Sequence, residues 1–134
     1  MLALAAAFAP HLRGGDVIAL EGSLGSGKTT FVRGLAAALI GGDPATSPTF
    51  LFRHRYAAAN GPALEHLDLF RLEGPGELAE LGLEEAFEPG AIVAVEWPDR
   101  APALVGRPTW TVHIEGSGEA PRAVTLMRAR EAGG

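Results

Sequence analysis

Residues 16–31 read DVIALEGSLGSGKTTF: an apolar run, a glycine-rich turn and the opening of a helix in immediate succession. Within them, Gly22-Ser-Leu-Gly-Ser-Gly-Lys-Thr29 matches G-x-x-x-x-G-K-[ST] at every fixed position. The chemistry of phosphate binding asks for these residue types. Glycines let the backbone curl so that successive N–H groups converge on phosphate oxygens. The helix that begins near Lys28 aims the positive end of its dipole at the same point. The Lys28 ammonium, a compact charge on a flexible stem, can follow the β- and γ-phosphates, and Thr29 offers a hydroxyl to Mg²⁺. The cradle so predicted consists of Gly22, Leu24, Gly25, Ser26, Gly27, Lys28, Thr29 and Thr30. Of eleven basic residues Lys28 is the single lysine, standing where an arginine would be too bulky and too rigid.

Working outward, the strand–turn–helix unit sits in an alternation of apolar strands and helices. Leu4, Phe8 and Leu12 predict an amphipathic helix over 2–12, and Gly14-Gly15 ends it. After the loop a helix is expected over 28–40, with Phe31, Leu35, Ala38 and Leu39 on its apolar face and Gly41-Gly42 as its stop. Alternation from Phe50 to Tyr56 and a run over 63–69, joined by Asn60-Gly61, read as a hairpin. Short helices are expected over 77–81 and 83–87, a fully apolar strand over 91–96, and a last hairpin that turns at Gly116-Ser117-Gly118. The fold class is therefore α/β: a single P-loop domain over 1–134, with a mixed, mostly parallel sheet, added antiparallel hairpins and a frayed tail from about 131.

Composition narrows the function. The chain has 134 residues, a net charge of −5 and no cysteine. Disulfides and thiolate metal sites are excluded, and broad contact with nucleic-acid phosphates, which needs surplus Lys and Arg, is disfavoured. The apolar run over 1–10 is too short to span a bilayer and lacks the basic start of a signal peptide, so a cytoplasmic protein is expected. Neither D-x-x-G nor N-K-x-D occurs, so ATP is favoured over GTP by elimination.

A phosphate-binding loop needs a carboxylate at the end of a neighbouring strand to hold Mg²⁺ or its waters. Two positions qualify. Glu96 closes the apolar strand AIVAV, and Asp68 closes HLD. Thr49, in Ser-Pro-Thr-Phe, is a candidate switch threonine for the γ-phosphate, against plain turn chemistry beside Pro48. His66 is either an orienting partner of Asp68 or a hydrogen-bonded sheet histidine. Arg53, Arg55, Arg71 and Arg100 are the nearby arginines. None stands in a finger motif, so the positive charge that phosphoryl transfer needs is expected from a partner protein.

In order, GSLGSGKTTF, SPTF, HLDLFRL, ELGLEEAF and VEWP resemble the TsaE (YjeE) family, small ATPases of tRNA threonylcarbamoyladenosine biosynthesis, over about residues 12–100. The resemblance implies binding of ATP or ADP with Mg²⁺. It also implies action on the TsaD- and TsaB-type pair that transfers threonylcarbamoyl to adenosine 37 of tRNA. Carried over, Leu24 to Thr29 hold phosphates, Thr29 and Glu96 hold the metal, Asp68 supports the metal or the attacking water, and Trp97 matches the family tryptophan. Lys28, Glu96 and Asp68 make up the catalytic set. Phe70 stands where the family usually has tyrosine. The family pattern opens with a strand before the first helix, whereas this chain starts inside that helix; the expectation is a lost adenine contact or a start further upstream. The rival readings are a small-molecule P-loop kinase and a binding module that never hydrolyses ATP.

Overall fold

A computed structural model describes residues 1–23, 25–40, 52–58, 61–116 and 121–129. The elements run α1 (Leu2–Phe8), β1 (Val17–Glu21), α2 (Lys28–Ile40), β2 (Arg53–Tyr56), β3 (Leu64–Asp68), α3 (Pro75–Leu81), β4 (Ile92–Glu96), α4 (Pro102–Val105), β5 (Trp110–Glu115) and β6 (Ala123–Arg128). The six strands form one sheet in the order β2-β3-β4-β1-β5-β6. β3, β4, β1 and β5 are mutually parallel, and the edge strands β2 and β6 pair antiparallel to their neighbours. This is the expected mixed α/β sheet.

β1 and β4 are apolar up to their closing residues Glu21 and Glu96 because both faces of the sheet are covered. On one face Ile18, Leu20, Ile92, Ala94, Val112 and Ile114 pack against α1 and α2, with Phe31 and Leu35 fully buried between them. On the other, Val93, Val95, Leu67 and Leu69 meet Leu72, Leu83, Ala86, Ala101 and Val105 from the segments around α3 and α4. Phe8 ties α1 to this core, edge-on to Trp110 with ring centroids 4.9 Å apart.

Several elements differ from expectation for identifiable reasons. The first helix is α-helical only to Phe8 and continues as a 3₁₀ turn over Ala9–His11. Pro10 has no N–H to give to the carbonyl four residues back. On α2, Ala38 is exposed, and Val32 and Ala36 join Phe31 and Leu35 in the core. β2 begins only at Arg53, because Phe52 has φ 102°, outside the strand region. The stretch after Trp97, given no element from sequence, folds into a 3₁₀ turn over Pro98–Arg100 and the single-turn α4. Gly41-Gly42, Asn60, Ser117, Gly118 and the tail from about 131 lie outside the described residues. Among the described residues no helix is long and apolar enough to cross a membrane.

Candidate functional site at the strand ends

The parallel register brings the carboxyl ends of three strands into line. Leu20 lies opposite Glu96, and Glu96 lies opposite Asp68. Chain reversals at such ends leave a crevice, the usual ligand position in open α/β sheets. Here a cavity of about 340 Å³ is lined by Gly25, Gly27, Lys28, Thr29, Thr30, Asp68, Glu96 and Arg122. A second hollow of about 270 Å³ adjoins it, bounded by Leu20, Glu21, Gly22, Trp97, Pro98 and Asp99.

The loop takes its shape from its glycines. Gly22 has φ 148°, and a Cβ there would stand 2.4 Å from the Ile114 carbonyl oxygen and 2.8 Å from Ser26 Oγ. Only a residue without a side chain lets the backbone leave β1 this close to β5. The turn is held by a hydrogen bond from the Ser26 N–H to the Ser23 carbonyl. Ser26 itself is fully buried, and among the described residues its Oγ has no hydrogen-bond partner.

Lys28 is 4% exposed. Its Nζ donates to the Gly22 carbonyl at 2.7 Å and lies 3.8 Å from the centre of the Trp97 ring. Burial pushes the ammonium below the ordinary lysine value, while the Glu96, Asp68 and Asp99 carboxylates act the other way. Trp97 holds its place through a left-handed backbone, φ 59°, and its ring tilts against Phe70 at 5.0 Å.

Glu96, buried at the end of β4, is the hub of the polar site. Its oxygens accept from Thr29 Oγ1 at 3.1 and 3.3 Å, and one of them lies 2.6 Å from His66 Nε2. His66 therefore serves Glu96, not Asp68, because residues 66 and 68 share one face of β3 and the diagonal across to β4 reaches Glu96. Asp68 is exposed; its carboxylate accepts from the Phe70 N–H at 3.1 Å and lines the cavity. Thr29 and Glu96 offer hard oxygen donors, and such a set fits Mg²⁺, which takes one or two carboxylates and completes its shell with phosphate oxygens and water.

The predicted residues Gly25, Gly27, Lys28, Thr29, Thr30, Asp68 and Glu96 thus meet at one cavity, while Gly22 and Trp97 bound the adjoining hollow. Leu24 and Thr49 lie outside the described residues. The arginines divide into distinct environments. Arg53 is bidentate to Glu65 at 2.8 and 2.9 Å, Arg55 joins the same carboxylate at 2.6 Å, and Glu65 is fully buried. Arg100 lies over the Phe70 ring at 5.9 Å, and Arg71 is exposed. Arg122, which no motif singles out, reaches the loop: it donates to the Ser26 and Gly25 carbonyls at 2.8 and 3.3 Å.

A family model described as threonylcarbamoyl adenosine biosynthesis protein TsaE matches residues 1–124. The chain is similar to the tRNA threonylcarbamoyladenosine biosynthesis protein TsaE of a Nostoc species, 49% identical over 96 residues, covering 68% of this chain and 57% of that one. It is similar to the Bacillus subtilis protein of the same name, 37% identical over 123 residues, covering 92% and 74%. The Rickettsia conorii relative is 37% identical over 84% of this chain and 63% of its own. Against the two relatives from Nostoc and Rickettsia conorii, then, this chain spans about six-tenths of their length. Among solved structures, the crystal structure of Bacillus subtilis YdiB superimposes with a TM-score of 0.72 at 29% identity, over 95% of this chain and 77% of that one.

Proposed function

The chain belongs to the TsaE family of threonylcarbamoyl adenosine biosynthesis proteins, and from that premise we propose that it binds ATP and ADP with Mg²⁺ at the glycine-rich loop and hydrolyses ATP. We place that hydrolysis in support of the threonylcarbamoylation of adenosine 37 in tRNA, exerted on a TsaD- and TsaB-type transferase pair. One observation carries the reading: Lys28 and Thr29 converge with Glu96, 67 residues beyond Thr29 along the chain, on a single cavity at the ends of parallel strands. In it the Lys28 ammonium gives up the Gly22 carbonyl for the β- and γ-phosphate oxygens, and the backbone N–H groups of residues 24–29 hold the remaining phosphate charge. Thr29 and Glu96 hold Mg²⁺, which when bound neutralises charge between the β- and γ-phosphates. Asp68, at the open side, orients the attacking water or the metal's waters, while Thr49 is the proposed switch residue on the γ-phosphate.

Trp97, carrying Lys28 on its face, covers the edge of the site. The cavity stays open to solvent, and a site that excludes water poorly turns over slowly until a lid or partner closes it. Among the described residues Lys28 and Arg122 are the cations lining it, beside the carboxylates of Asp68 and Glu96. Added positive charge from a partner therefore speeds phosphoryl transfer. The net charge of −5 supports contact with proteins rather than a direct grip on tRNA. The test is phosphate release with Mg²⁺ and ATP, first for the chain alone and then with the transferase pair. Slow release that rises on adding the pair is expected. Fast release unaffected by the pair would refute partner dependence, a phosphorylated acceptor would indicate a kinase, and unchanged ATP under both conditions a binding module.

A further inference from the structure

The carbonyls of a phosphate-binding loop face a demand opposite to that of its amides. As N–H groups turn inward to meet an anion, the peptide oxygens turn outward and need donors of their own. In this chain Arg122, just before β6, supplies them. Its Nε donates to Ser26 O at 2.8 Å and an Nη to Gly25 O at 3.3 Å, across 96 and 97 residues of sequence. A planar guanidinium with donors in a fixed fork suits two adjacent carbonyls as an ammonium does not.

The passage of this side chain is built in. Gly116, at the end of β5, has φ 120°, and a Cβ there would lie 3.1 Å from Arg122 Cδ and 2.8 Å from the Pro121 carbonyl oxygen. The β5–β6 turn thus holds a glycine where the arginine stem runs. Because a peptide unit is planar and trans, fixing the Ser26 C=O also fixes the direction of the Gly27 N–H, and Gly27 lines the cavity.

We infer that Arg122 is a positioning residue for the polyphosphate site: through the Gly25 and Ser26 carbonyls it holds the loop in its binding-competent shape, making nucleotide affinity depend on the β5–β6 hairpin. The inference rests on the nucleotide-binding reading above.

The test compares the parent chain with Arg122→Ala and Arg122→Lys, by calorimetric titration with MgADP and by amide hydrogen exchange on the ligand-free proteins. Removing charge-assisted bonds is expected to weaken MgADP binding by roughly tenfold or more. The alanine variant should exchange faster over residues 22–29, with β4 unchanged. Lysine keeps the charge on a single donor nitrogen and loses the planar fork, so it should fall between parent and alanine, and it carries the comparison where the alanine variant does not fold. Parental affinity in both variants would overturn the inference. So would weakened binding accompanied by faster exchange throughout the sheet, which marks general destabilisation. A parent chain that does not bind MgADP overturns the nucleotide reading instead, and loop exchange in the variants then judges the clamp separately.

Discussion

Replacing Lys28 by alanine separates binding from folding, and its size can be worked from the contacts of the ammonium. In the folded chain without nucleotide, Lys28 makes one charge-assisted hydrogen bond, to Gly22 O at 2.7 Å, and one cation–π contact, at 3.8 Å from the Trp97 ring. A hydrogen bond to a charged group contributes about 1.5–3 kcal/mol, and a partly desolvated cation–π contact about 1–2 kcal/mol. Against them stands the cost of keeping an ammonium 4% exposed, several kcal/mol for a buried ion. The terms nearly cancel. Alanine at position 28, a good helix former at the start of α2, should therefore change unfolding free energy by no more than about 1 kcal/mol.

Binding cancels less completely. The ammonium exchanges the Gly22 carbonyl for anionic phosphate oxygens. Two charge-assisted bonds at about 1.5 kcal/mol each, less the one given up, leave about 1.5 kcal/mol, so that its loss weakens affinity by roughly tenfold or more. The assay is titration of MgADP and MgATP into parent and Lys28→Ala, with thermal melts of both ligand-free proteins. Equal affinities in two proteins with equal melting curves would refute the reasoning, since an ammonium over an anion site cannot be thermodynamically silent.

Three further outcomes follow from neighbouring contacts. Glu96→Gln should bind MgATP within a few-fold of the parent and release phosphate roughly 100-fold more slowly. The amide preserves the shape that faces Thr29 and His66 but loses the charge; hydrolysis at the parental rate would make Glu96 purely structural. Glu65→Ala should destabilise the fold by about 1–3 kcal/mol in urea titrations. The buried carboxylate aligns Arg53 and Arg55, although both guanidiniums, 19% and 38% exposed, regain water once it is gone; a stability loss below about 0.5 kcal/mol would contradict this. His54 is held below the ordinary histidine value, first by burial and then by His66 and Arg33. The unfolded chain therefore binds more protons below about pH 6.5, and stability falls as pH drops through that value, by at most about 1.4 kcal/mol per pH unit. Unfolding midpoints at pH 7.5 and 5.5 should differ less in His54→Gln than in the parent; an identical pH dependence would remove His54 from the account.

What the linear chain determined by itself is local. The glycine spacing of residues 22–27, the apolar run before them and the helix after them are set by backbone sterics and burial within a few residues, so the loop, its lysine and its threonine were legible at once. Glu96 stood out too, because a charge closing a five-residue apolar run of a doubly covered strand needs polar partners. Strand order was not. Nothing local says that β4, and not β3, lies beside β1, since hydrogen bonding between strands does not depend on side-chain identity. That choice decides that His66 reaches Glu96 across a diagonal rather than orienting Asp68 two residues away. It also exposes Ala38 on a helix whose apolar face is chosen by what α1 and the sheet present to it. Arg122 is the furthest case. Its residue type and neighbours give no motif, and only closure of the β5–β6 hairpin beside β1 carries it across 96 residues to the carbonyls of the loop. Contacts of that span follow from sheet order and register, which the whole chain settles through packing and no short stretch of it can encode.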